Sequence, residues 1–251
     1  MLRHRVIPVL LLHNDGLVKT KQFTKPVYLG DPLNAINIFN DKEVDELIFL
    51  DIDATKESKK IDFDLISDIA SECFMPFAYG GGISDIEEIE KLFYIGVEKV
   101  IINSALSDEV LIKEAVRRFG SQSIVASIDI QSGELYRHVT KKRISVSIEA
   151  YIKKLELLGI GEIFINSVDR DGMMDGYDIE LIEKITSLTS IPIIACGGAG
   201  KLEDLKEVID KTEVSAVGAG SFFVFLGIHN AVLITYPRYE ELEKILECNN
   251  G

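Results

Sequence analysis

Short apolar runs alternate with amphipathic stretches along this whole chain. The runs at 6–12, 47–52, 77–80, 99–103, 124–130, 163–167, 193–196 and 215–218 are too short for buried helices and rich in β-branched residues. They predict eight strands. The stretches between them carry apolar residues at helical spacing. The clearest spans 85–93, where Ile86, Ile89, Leu92 and Phe93 share one face and acidic residues fill the gaps. Ser84 with Glu87 reads as its capping box. Ser147 reads as the N-cap of a helix whose face continues through Tyr151, Leu155 and Leu158, and 201–209 repeats the pattern with Leu202, Leu205 and Ile209.

Eight strand–helix units of roughly 30 residues each suit βαβ repeats. Two glycine-rich turns stand in this framework, Gly80-Gly81-Gly82-Ile83-Ser84 and Cys196-Gly197-Gly198-Ala199-Gly200. Gly197 follows Gly81 by 116 positions, and Glu162 follows Glu46 by the same interval. The repeat, the eight units and the length of 251 residues predict one (β/α)8 TIM barrel over residues 1–251, an α/β fold with an internal half-barrel repeat. An open doubly wound sheet would alternate too, but would not call for eight units. In such a barrel the chemistry sits at the C-terminal ends of the strands. There the two glycine turns form backbone nests whose N–H groups can converge on an anion. Two nests suggest a ligand with a phosphate at each end. Turn geometry alone would also explain the glycines, and Asn103 and Ser104 could serve as helix caps.

Composition narrows the partners. A net charge of −14 argues against duplex nucleic acid, which needs a basic surface. No apolar run approaches the ~18–20 residues of a membrane helix, so no membrane partner is expected. The 3 cysteines, Cys73, Cys196 and Cys248, and the 4 histidines show no zinc or disulfide spacing. No metal or cofactor is expected, and a reducing cytoplasm is the default compartment. Cys196 reads as a small buried strand residue, and His13 and His138 read as solvated loop residues without a carboxylate partner.

An ordered set of pieces carries a family resemblance. They are Arg5-Val6-Ile7-Pro8, the segment from Asp45 to Ile52, Gly80-Gly81-Gly82-Ile83, Lys99 with Asn103, Ser127-Ile128-Asp129, Asp169-Arg170-Asp171-Gly172, Gly176-Tyr177-Asp178 and Gly197-Gly198-Ala199-Gly200. Over nearly its whole length the chain resembles the cyclase subunit of imidazole glycerol phosphate synthase, the HisF type of histidine-biosynthetic barrel. The resemblance implies a HisH-type glutaminase partner that releases ammonia into the bottom of the barrel. The ammonia then meets a phosphorylated small-molecule substrate, a ribulosyl phosphate, at the mouth. It assigns Gly82, Asn103 and Ser104 to one phosphate, and Asp171, Gly172, Gly198 and Ser221 to the other. Arg5, Glu46, Lys99 and Glu162 match the ring of charges at the bottom entrance. Asp129 and Lys19 match catalytic positions, Lys19 in a lid over residues 14–19 that is expected to be mobile.

One position departs from that pattern. The family's second catalytic aspartate belongs at the end of the first strand, and this chain has Leu11 there. Leucine transfers no proton, and losing a positioned acid or base costs typically ~10²–10⁴-fold in rate. Asp15 is the nearby carboxylate that could take its place, although it also matches an ordinary aspartate–glycine turn. A second departure, Lys142-Arg143-Ile144-Ser145, falls where the family usually has a glycine- and threonine-containing loop over the substrate. Leu11 points toward HisF-like paralogues of bacterial surface-sugar pathways. In those, a separate sugar amidotransferase converts an acetamido to an acetamidino group and the barrel delivers ammonia. A related isomerase of the HisA type also has two phosphate sites, but it too needs an aspartate at Leu11, and the entrance ring favours HisF.

Overall fold

The computed structural model describes residues 4–54, 59–227 and 229–246; Met1, Leu2, Arg3 and Cys248 lie outside them. Eight parallel strands form the barrel: β1 (Arg5–His13), β2 (Leu47–Asp51), β3 (Phe77–Gly80), β4 (Lys99–Ile102), β5 (Ile124–Gln131), β6 (Glu162–Ser167), β7 (Ile193–Cys196) and β8 (Ala216–Ala219). Each expected strand is present, with no end moved by more than one residue. The sheet closes because β1 pairs with both β2 and β8, placing Val9 opposite Ile48 and Val6 opposite Val217. On the far side β6 pairs with β5, and Asn166 falls opposite Asp129.

Period-two alternation divides the strand residues between two cores. Val6, Leu10 and Leu12 of β1 point outward and pack with the helices in the large outer core. Ile7 and Val9 point inward and meet Ile48, Ala78, Ile101, Val125, Phe164, Ile194, Cys196 and Ala216 in a smaller core along the barrel axis. The small Ala78 and Ala216 share this core with the large Phe164 ring.

Helices α1 (Pro32–Asp41), α2 (Phe63–Glu72), α3 (Ile86–Ile95), α4 (Glu109–Phe119), α5 (Ile148–Leu158), α6 (Ile179–Thr186) and α7 (Leu202–Lys211) alternate with the strands, and α8 (Tyr239–Leu246) follows the last. The polar residues before these helices act as caps. Asp31, Asp62, Asp85, Asp108, Ser147 and Asp178 each accept a hydrogen bond from a first-turn N–H. The capping box of α3 sits one residue later than expected, on Asp85 and Glu88. The Asp85 carboxylate accepts from Glu88 N at 2.8 Å, and Glu88 reaches back to Ser84 N at 2.7 Å, which leaves Glu87 outside the box.

The segment after β1 is folded as a ribbon. Gly16–Lys21 pairs antiparallel with the end of β1, Leu11 opposite Val18, and then with Thr24–Gly30. A second ribbon, Glu134–Arg137 with Lys142–Arg143, continues from β5. Both ribbons stand on the mouth of the barrel. Among the described residues no helix is long and apolar enough to cross a membrane.

Candidate functional site at the barrel mouth

The strand ends enclose two adjoining hollows. The first, about 170 Å³, is lined by Gly80 to Ile83, Asn103, Ser104, Ser127, Asp129 and His138, with Thr20 and Phe23 from the first ribbon. The second, about 30 Å³, is lined by Lys19, Asp171, Gly172, Gly197, Gly198 and Ser221. Leu11, Phe23, Leu50 and Asn166 border both. The residues expected to hold one phosphate therefore fall in the first hollow, and those expected to hold the other fall in the second.

The glycines are needed for backbone shape. Gly82 has φ +70° and Gly198 φ +113°, and a Cβ on Gly198 would lie 2.1 Å from the Gly176 carbonyl oxygen. Asn103 caps no helix N–H; its Nδ2 donates to Asp129 Oδ2 at 3.1 Å. Ser104 opens the 3-10 turn Ser104–Ser107 at the rim. Ser221 begins the one-turn helix Ser221–Val224, and its Oγ is buried without a hydrogen-bond partner.

Asp129 is the inward carboxylate at the end of β5. Loss of water around it pushes its pKa up to about 7; the Asn103 hydrogen bond pulls the other way, and Asp171 adds a further push upward. It can therefore hold or release a proton near neutrality. Lys19 is buried and ion-paired with Asp171. Asp171 also accepts from Thr20 Oγ1 at 2.8 Å and from Phe23 N at 3.2 Å. Its carboxylate offers an anion no donor, so it borders the second hollow by fixing Lys19.

Leu11 is almost fully enclosed, on β1 where the two hollows meet. Asp15 stays at the exposed turn of the first ribbon and lines neither hollow. Asp51 borders the first hollow, but its Oδ1 accepts from Asp53 N at 2.9 Å and Ala54 N at 3.0 Å. Burial raises the pKa of Asp51, against the pull of those two N–H groups.

One histidine reading is overturned. His13 does have a carboxylate partner: its Nδ1 lies 2.6 Å from Asp53 Oδ1. Burial alone would raise the Asp53 pKa, but the Asn14 N–H and His13 outweigh it and hold it low. His138 lines the first hollow, its ring edge-on to Phe23 at 5.2 Å. Both partners come from other loops, so no local pattern revealed them. Asn166 escaped the sequence reading as well. Its Oδ1 is buried without a partner, and the period-two step from Glu162 through Phe164 was the signal that would have turned it inward. Cys196 is buried at the end of β7, and burial pushes its thiol up to about 12. Among the described residues no group of His, Cys, Asp and Glu could hold a metal ion.

Four charged groups meet at the opposite end of the barrel. Arg5 donates to Glu46 at 2.5 Å and to Glu162. Lys99 Nζ donates to Glu46 at 3.0 and 3.1 Å and to Glu162 at 3.0 Å. The signs alternate around a closed circuit. Burial alone would lower the Arg5 pKa, but Glu162 and Glu46 more than offset it and hold it above its ordinary value.

The family described as "Histidine biosynthesis protein" matches residues 5–229. The chain belongs to that family. Within it, a Pseudomonas aeruginosa protein provisionally named as a HisF subunit of imidazole glycerol phosphate synthase is 51% identical, over 97% of this chain and 99% of its own. A Leptospira borgpetersenii protein of the same provisional name is 46% identical, over 98% and 99%. A Streptococcus mutans protein named imidazole glycerol phosphate synthase subunit HisF is 35% identical, over 89% and 91%. Similarity to proteins named as synthase subunits thus runs over most of the chain.

Proposed function

We propose that this chain is a HisF-like synthase subunit that accepts ammonia from a HisH-type glutaminase at the charged floor and brings it to a phosphorylated ligand at the mouth. The observation that carries this reading is the axial arrangement. An alternating ring of Arg5, Glu46, Lys99 and Glu162 closes one end, and two hollows suited to anions open at the other. Between them the barrel is lined by Ile7, Ile48, Ala78, Ile101, Val125 and Phe164. An apolar lining favours neutral ammonia over ammonium, because a bare cation there would lose its hydration.

At the mouth, Gly82, Asn103 and Ser104 would receive one phosphate, and Gly172, Gly198 and Ser221 the other. Lys19, steadied by Asp171, adds a cation beside the second. A ligand held at both ends presents its middle to Asp129, whose pKa near 7 suits proton transfer at neutral pH.

Leu11 favours a second reading. With no carboxylate at the end of β1, the barrel would deliver ammonia to a separate sugar amidotransferase that converts an acetamido to an acetamidino group, and the two hollows would hold a ligand without cyclising it.

The test is to supply ammonium and the ribulosyl phosphate substrate to the purified protein and to Leu11→Asp. Turnover by the wild-type chain supports the synthase reading. Turnover by neither, with phosphate still bound, refutes it and leaves the delivery reading. That second reading fails in turn if glutamine-driven amidination by the assembled proteins survives Lys99→Met.

A further inference from the structure

The mouth holds a histidine that no position on the first strand reveals. We propose that His138 is the catalytic partner of Asp129, standing in for the carboxylate that Leu11 replaces. This rests on the synthase reading of the mouth.

Among the described residues three titratable side chains line the first hollow: Asp51, Asp129 and His138. Asp51 is set aside by strand alternation. Leu50 points into the barrel, so Asp51 points out, where its Oδ1 holds two backbone N–H groups. Asp129 lies opposite Tyr136 in the antiparallel pair that starts the second ribbon. Directly opposed residues share a face, and His138 follows Tyr136 by two positions, in the turn that leaves Glu134–Arg137.

The ring is also held in place. The Phe23 centroid lies 5.2 Å away, edge-on at 89°, and the Tyr136 ring flanks it at 6.3 Å. Phe23 is anchored in turn by its N–H to Asp171. A turn closed by Lys141 N to His138 O at 3.1 Å fixes the backbone. His138 is therefore presented by one ribbon and braced by the other, and it lines the same hollow as Asp129.

Ammonia addition to a ligand carbonyl needs two such groups. The nitrogen lone pair attacks carbon and the C–N bond forms. The carbonyl π pair moves to oxygen, which takes a proton from the His138 imidazolium. The new ammonium-like nitrogen gives a proton to the Asp129 carboxylate. The result is a carbinolamine, neutral imidazole and protonated Asp129, and solvent returns the proton after release.

The experiment compares the full chain, His138→Gln, His138→Gly and Leu11→Asp with ammonium and the ribulosyl phosphate substrate. Inorganic phosphate binding is measured on each to report an intact mouth. The expected result is a kcat lowered ~10²–10⁴-fold in His138→Gln with KM little changed, and partial recovery of His138→Gly by added imidazole. A lost brace alone would not respond to imidazole. Wild-type turnover that survives His138→Gln overturns the proposal. Turnover in Leu11→Asp but not in the wild-type chain also overturns it, while leaving the synthase architecture standing. Turnover in neither overturns both.

Discussion

Asn103 Nδ2 donates to Asp129 Oδ2 at 3.1 Å, from the residue after β4 to the last inward carboxylate of β5. That donor favours the charged form of Asp129 and works against the burial that raises its pKa. Asn103→Ala is expected to lift the Asp129 pKa above about 7. A carboxyl-carbon NMR titration reads it directly; an unchanged or lower value would contradict the assignment.

Asp129 also links stability to pH. Its folded pKa is raised, so the folded state holds the proton more tightly than the unfolded one. Its contribution is fully present below the unfolded value of about 3.9 and is lost as pH rises through about 7. Asp129→Asn removes the cost of the buried charge. The variant should gain on the wild type as pH increases from 4 to 8, by on the order of 4 kcal/mol. Thermal melts across that range measure it, and a gap independent of pH would be the contrary result.

The ring at the floor makes a different prediction. In Glu162→Gln, Arg5 and Lys99 share Glu46 alone, so two partly buried cations are left with one carboxylate. Breaking a buried pair costs more than a surface pair, and partial exposure of both cations reduces the loss. A destabilisation of about 1–3 kcal/mol is expected in urea unfolding. A variant as stable as the wild type would mean that the four charges are held apart by solvent.

Gly198→Ala should damage one anion site and spare the other. The new Cβ meets the Gly176 carbonyl at 2.1 Å, in a backbone conformation that side chains rarely adopt. The loop after β7 must move, and with it the hollow of Lys19 and Ser221. Phosphate titration by NMR should show weakened binding there, with Gly82 and Ser104 responding as in the wild type. Equal loss at both would mean that the hollows act as one.

The strands were legible because each is a short apolar run closed by a polar or glycine turn, and Phe77–Gly80 and Ile193–Cys196 have the expected ends. The sorting of Gly82, Asn103 and Ser104 from Gly172, Gly198 and Ser221 follows from strand order once the sheet closes. What stayed hidden depends on contacts between loops. Asp85 and Ser84 are both competent caps, and only the helix start decides between them. His13 finds Asp53, His138 finds Phe23 and Lys19 finds Asp171 across the mouth. None of those pairs is encoded in a local period.

The first strand lies between the second and the last, and this has a consequence for synthesis. As the chain leaves the ribosome, one edge of Arg5–His13 can pair once Leu47–Asp51 has emerged, but on its other edge Arg5 to Pro8 wait for Ala216–Ala219. Until then the nascent sheet carries two open borders. A truncated product ending before Ala216 would keep both borders exposed, which makes it a substrate for chaperones and proteases rather than a smaller working protein.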